Sequence, residues 1–228
     1  MNQFALLTAM AAAVGMTMRR ISSLRKTGRE QAAGRLYRRA SLMLGLGAWA
    51  ALVVQEGVLA YSGLMNWRTA LPLHLCSVMG LLTLPMLLAR SPFLWHSALL
   101  LGLPGGLAAL IFPAMLTTSA PFVTALGFHW LHATLAVAPL MPFALGRRPS
   151  RACVWHAWTL LIALGCLCLV ANHLTGGNYL FLSVPVAGTP LEALAQGGLR
   201  AYRLSLMALA GVLLIAQGFV CRRIWRYS

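Results

Sequence analysis

ACVWHAWTLLIALGCLCLVAN, residues 152–172, runs for 21 residues without an Asp, Glu, Lys or Arg. At 1.5 Å per residue a helix of that length spans about 30 Å, the thickness of a bilayer's hydrocarbon core. Six further apolar runs bounded by charge or by Pro and Gly flank it, at about residues 3–18, 41–60, 71–89, 94–113, 120–145 and 202–221. The chain therefore reads as all-α, one polytopic helical membrane bundle over residues 1–228 with about seven transmembrane helices, or six if the short first run does not insert. Composition agrees: 60% of the 228 residues are in the AVILMFWYC set and only 9% are charged, against about a quarter in soluble domains. Pro139 and Pro142 near the end of the fifth run predict a tilt or kink there.

Lys and Arg number 18 against 3 acids, a formal charge of +15. In a soluble chain that excess would suggest nucleic acid, but here it tracks topology. Arg19, Arg20, Arg25, Lys26, Arg29, Arg35, Arg38 and Arg39 follow the first run, whereas Met1 to Phe4 carry no base. A signal peptide has its charge before the apolar stretch, so this pattern predicts an uncleaved first helix with the amino terminus outside. Seven spans from that start put the basic loop 19–40, Arg90, the trio Arg147, Arg148 and Arg151, and the tail Arg222, Arg223 and Arg226 in the cytoplasm, together with the carboxyl terminus; only Arg68, Arg200 and Arg203 fall outside. The basic loop is a topology anchor that also meets anionic lipid headgroups. No nucleic-acid module is recognisable, and protein partners are not indicated.

Polar groups inside spans are costly and mark the interior of a bundle. Glu56, His74, Cys76, His129, His132 and Asn172 with His173 converge on the outer half. His96 and His156 begin the fourth and sixth runs beside Arg90 and Arg151 and read as interfacial. A cysteine becomes a nucleophile when a base favours its thiolate, and histidine is the usual partner. His74 is two residues from Cys76, off its helical face. His129 and His132 lie three apart on one face of the fifth run, so either is a candidate partner. Packing and interhelical hydrogen bonding are the plain alternatives for each residue. The chain shows no metal-ligand signature and calls for no cofactor.

Five cysteines make no disulfide framework; Cys166 and Cys168 point about 200° apart on a helix and read as packing residues. Gly102, Pro104, Gly105 and Gly106 interrupt the fourth run, for close packing or for a break. Pro72 is expected in the first turn of the third helix, where its missing N–H costs nothing. The outer segment 173–200, from Thr175-Gly176-Gly177-Asn178-Tyr179 through Pro190, reads as a lid over the outer end or as a plain connection.

Leu71-Pro72-Leu73-His74-Leu75-Cys76-Ser77, Gly102-Leu103-Pro104-Gly105-Gly106 followed by Pro113, His132, and Gly177-Asn178-Tyr179-Leu180 followed by Pro185-Val186-Ala187-Gly188 together resemble the YwaF-like bacterial integral membrane proteins. The resemblance covers the chain from about residue 41 onward and implies a multi-pass protein of the bacterial cytoplasmic membrane. That family is similar, distantly, to animal multispan proteins with a branch that transfers fatty-acyl groups to lysophospholipids through a cysteine. By that resemblance Cys76 is the acyl-accepting nucleophile and His132 its general base. Glu56, His74, His129, Asn172, Asn178 and Tyr179 are the candidate substrate-binding residues. Two functions follow as expectations: an acyltransferase or thioesterase-like enzyme acting on membrane lipids near the outer leaflet, or a binding or transport protein using the same polar cluster.

Overall fold

The computed structural model describes residues 3–68, 70–113, 117–185 and 191–225. Val186, Ala187 and Gly188 of the turn quoted above, with Pro190 and Arg226, lie outside the described residues. All seven apolar runs are helical: α1 (Gln3–Lys26), α2 (Glu30–Tyr61), α3 (Leu75–Leu88), α4 (Pro92–Ile111), α5 (Pro121–Leu145), α6 (Cys153–Thr175) and α7 (Gly198–Trp225). No strand occurs among the described residues. Six of the helices are long and apolar enough to cross a membrane.

The exception is not the first run, which forms a helix of 24 residues. It is α3, with 14 residues, about 21 Å long. The expected start at Leu71 fails for a local reason. Pro72 disfavours helical backbone at the residue before it, and His74 takes an extended conformation (φ −65°, ψ 145°) as the N-cap. Pro72 thus lies outside the helix, not in its first turn, and Cys76 is the helix's second residue.

The stretch 19–40, expected as a loop, is a helical hairpin. α1 runs on to Lys26 and α2 starts at Glu30, so the turn is only Thr27–Arg29. Gly28 supplies the left-handed φ of 73° that lets Arg29 N–H reach the Leu24 carbonyl at 2.8 Å.

Pro104 does not break α4. A π turn over Ala98–Gly102 precedes it, with the Leu103 N–H bonded to the Ala98 carbonyl, and the widened turn accommodates the ring. The prolines of α5 act as expected: α-helix gives way after Val137 to a tighter 3-10 segment, Ala138–Leu145, ending at Gly146 (φ 73°).

Helices α2, α3 and α5 form the centre, α4 wedges against α3, α5 and α6, α1 lies on α2 and α5, and α7 leans mainly on α6. Lipid is as apolar as leucine, so close van der Waals approach holds such helices together. Glycine makes that approach possible. A Cβ on Gly45 would lie 2.6 Å from the Leu84 side chain, one on Gly80 2.8 Å from Leu131, and one on Gly106 2.6 Å from the His132 carbonyl oxygen. The glycines of α4 are therefore packing residues within a continuous helix.

Gly106→Val should consequently lower the stability of the purified protein by about 1–3 kcal/mol, the usual cost of overpacking. Gly165→Ala on α6, where nothing lies within 4 Å, should instead leave stability unchanged or raise it by up to about 1 kcal/mol. Thermal melting in detergent reads both; equal melting temperatures would contradict the close α4–α5 contact.

Candidate functional site

Ahead of α3 the chain is irregular over 64–68 and 70–74, and its backbone polar groups need partners from protein. Tyr179 provides two. Its hydroxyl accepts the Leu71 N–H at 3.0 Å and donates to the Trp67 carbonyl at 2.8 Å, and the residue is fully buried. Cys168 donates its S–H to the Leu73 carbonyl at 3.3 Å. Asn172, buried at the end of α6, grips Tyr179 from behind: its Oδ1 accepts the Tyr179 N–H at 2.7 Å and its Nδ2 donates to the Tyr179 carbonyl at 3.0 Å.

The segment after α6 is thus folded onto the break. Asn178 organises it internally, its Oδ1 accepting from Ser183 N–H and Val184 N–H and its Nδ2 donating to the Val184 carbonyl. From α7, Tyr202 Oη donates to the Phe181 carbonyl and Arg203 Nε to the Leu182 carbonyl, each at 2.8 Å. Leu180 and Phe181 accept left-handed φ of 54° and 55° within it, a local cost that these bonds offset. Among its described residues, then, the segment packs over the start of α3, a placement for which we call it the lid. Asn172, Asn178 and Tyr179, expected as substrate contacts, have the named polar atoms committed to building it. Burial pushes the Tyr179 phenol up; the Leu71 N–H opposes this, and the Glu56 charge adds to it.

The His74 ring packs at 5.4 Å on Tyr179 and 5.2 Å on Phe181, so the lid rests on the N-cap of α3. Two residues on, Cys76 is a half-buried free thiol. The N–H groups of Leu75, Cys76 and Ser77 have no acceptor among the described residues. His132 is buried on α5, and its Nδ1 lies 2.7 Å from the Phe128 carbonyl. A carbonyl only accepts, so Nδ1 carries the proton and Nε2 of the neutral ring holds the free lone pair.

No hydrogen bond joins Cys76 to a histidine among the described residues. The two sites nevertheless flank one step of α4: Leu75 meets Gly105, and Gly106 lies against the His132 backbone. Over residues 1–220 the chain matches the TMEM164 family. It belongs to the TMEM164 family. No curated protein and no solved structure matches it. Membership makes this a multispan membrane protein, in accord with its six long apolar helices.

The remaining residues singled out in this TMEM164-family chain are placed as follows. His129 is buried, with its Nδ1 lacking a partner among the described residues, and so is one Glu56 oxygen. His173 is exposed. No group of three or more His, Cys, Asp or Glu side chains among the described residues is placed to hold a metal.

His96 and His156, at the starts of α4 and α6, form a stacked pair. Their Nδ1 atoms are 2.8 Å apart, and His96 is 1% exposed. Sequence gave no sign of this, because the partners are 60 residues apart. Only the meeting of α4 with α6 brings them together.

Asn172→Ala should remove both grips on Tyr179 and release the lid. The expected result is a loss of about 1–3 kcal/mol and alkylation of Cys76 several times faster, read by mass spectrometry of the peptide that carries it. An unchanged alkylation rate would mean that the lid does not shield the start of α3.

Proposed function

We propose that this TMEM164-family protein is a membrane-embedded acyl-transferring enzyme, YwaF-like and bacterial, that moves fatty-acyl groups between lipids through Cys76. The observation that carries the reading is the fixed tautomer of His132. With Nδ1–H held by the Phe128 carbonyl at 2.7 Å, Nε2 is left with the free lone pair that a general base needs. Cys76 at the start of α3 supports it from the other side. Its helix opens with N–H groups that lack acceptors among the described residues, and such groups stabilise a developing oxyanion.

In this mechanism His132 Nε2 takes the thiol proton as the Cys76 sulfur attacks the carbonyl carbon of a lipid ester. The tetrahedral oxyanion accepts from the N–H groups of Cys76 and Ser77. Collapse breaks the carbon–oxygen bond, His132 returns the proton to the departing hydroxyl, and a thioester remains on Cys76. A lysolipid hydroxyl, or water, then gives its proton to His132 and attacks the thioester, which restores the thiol. Glu56, His74 and His129 are the polar groups left to meet the headgroup. The reaction faces the outer leaflet if the amino terminus is outside, as the charge pattern favours.

Reconstituted protein supplied with a phospholipid bearing an alkyne-tagged acyl chain should form a hydroxylamine-labile adduct on Cys76 and pass the tag to added lysophospholipid. Cys76→Ser should abolish both. His132→Gln should slow transfer by about 10²–10⁴-fold while leaving the melting temperature near that of the parent. Transfer that persists in both variants would remove the enzyme reading. Saturable lipid binding without any adduct would support a binding or transport protein built on the same groups.

A further inference from the structure

The end of the bundle opposite the lid carries a charge arrangement that the reading above does not use. Two adjoining clefts of about 320 and 380 Å³ share Arg25 and Glu30; Lys26 lines one, and Arg90 and Arg147 line the other. These volumes are in the range of small-ligand sites. The cleft arises where the α1–α2 hairpin meets the α3–α4 turn and the end of α5.

Two of its cations, Arg147 and Arg25, have defined contacts. The Arg147 guanidinium lies over the Trp95 ring, 4.8 Å from its centroid, and donates through Nη2 to the Arg90 carbonyl at 2.8 Å. Arg90 presents that carbonyl from a left-handed backbone, φ 55°, a conformation that costs a non-glycine residue free energy and persists where the surroundings demand it. The other terminal nitrogen, Arg147 Nη1, is buried with no hydrogen-bond partner among the described residues. Arg25 lies against Gly146, where a Cβ would come within 2.9 Å of its Nη1, and the glycine also serves the left-handed φ of 73°.

The charges do not balance. Four cations face one carboxylate, Glu30, whose Oε2 is 3.4 Å from Arg25 Nε and which is 67% exposed. The chain has only two other acids. Glu56 lies in the last turns of α2, toward the lid, and Glu192 lies in the short helix before α7. Neither supplies the missing charge, and a buried guanidinium nitrogen without an acceptor is costly.

We propose that this cleft binds a phosphoryl anion, the headgroup phosphate of an anionic phospholipid, between Arg147, Arg25, Lys26 and Arg90. Several acceptor oxygens around one phosphorus match the forked donors of two arginines. Apolar helices end at the cleft, which puts it at the level where such headgroups lie. The site is remote from Cys76 and independent of the acyl-transfer reading. Glu30 competes with the ligand for Arg25.

Protein in dodecyl maltoside would be melted with dihexanoyl phosphatidylglycerol, with dihexanoyl phosphatidylcholine, whose phosphate sits beneath a fixed cation, and with inorganic phosphate. Ligand binding to the folded state raises the melting temperature with concentration. Phosphatidylglycerol should stabilise the parent protein more than phosphatidylcholine does. Arg147→Gln should weaken its apparent affinity by about tenfold or more, and Glu30→Gln should tighten it by about threefold. Inorganic phosphate acting as well as phosphatidylglycerol would uphold the anion site and make its source a free anion. Equal effects of the two lipids on the parent, or an affinity unchanged in Glu30→Gln, would overturn the proposal even if Arg147→Gln failed to fold.

Discussion

A chain that leaves helical conformation inside a membrane protein must satisfy its backbone polar groups from protein, since the bilayer core offers no water. This protein does so before α3, where residues 64–68 and 70–74 are irregular, and one phenol meets much of the demand. Tyr179 Oη bonds Leu71 and Trp67, Cys168 takes the Leu73 carbonyl, and Asn172 fixes Tyr179 itself. The lid, the short third helix and the position of Cys76 are consequences of one arrangement. If α3 began at Leu71, its own ladder would take the Leu73 carbonyl and Cys76 would sit deeper in the helix, but the Leu71 N–H would still need a partner, as every first-turn N–H does.

The same economy governs the centre. With no hydrophobic drive between helices in lipid, the α4–α5 contact depends on how near the two backbones come. Gly106 sets that distance against the His132 carbonyl. Gly105 beside it receives Leu75. One pair of glycines therefore sets how far the start of α3 stands from the turn of α5 that carries His132, and a larger residue at Gly106 would push the two apart.

How much of this was legible beforehand depends on the range of the interaction. Span number, helical class and the proline-bent end of α5 follow from composition and local backbone chemistry, so they could be read from runs of residues. Pro72 shows where that fails: proline at the first turn of a helix and proline in an extended segment are both locally sound, and the choice is made by Tyr179, 108 residues from Leu71. The hairpin 19–40 misled for the opposite reason, since arginine is a good helix former and charge alone does not end a helix. Cys76 and His132 stood out because such groups are rare in spans. Asn172 and Asn178 stood out equally, yet their partners are backbone groups of the lid, which residue type does not disclose.

The histidine pair shows how the buried interior reaches the charged end. Ser150 N–H can only donate, and it meets His96 Nε2 at 3.2 Å, so Nε2 carries no proton. Neutral His96 then holds its proton on Nδ1 and gives it to His156 Nδ1 at 2.8 Å. That atom must accept, which leaves the His156 proton on Nε2. A further proton on His96 would have to displace Ser150. The pair therefore ties the segment joining α5 to α6 onto α4 in one protonation state, and Arg147 lies in that segment. Its guanidinium rests on Trp95, the neighbour of His96. The position of the buried Arg147 nitrogen thus depends on a neutral imidazole pair within the bundle, and a cation held this way is fixed before any anion arrives, so little of the binding free energy is lost in ordering it.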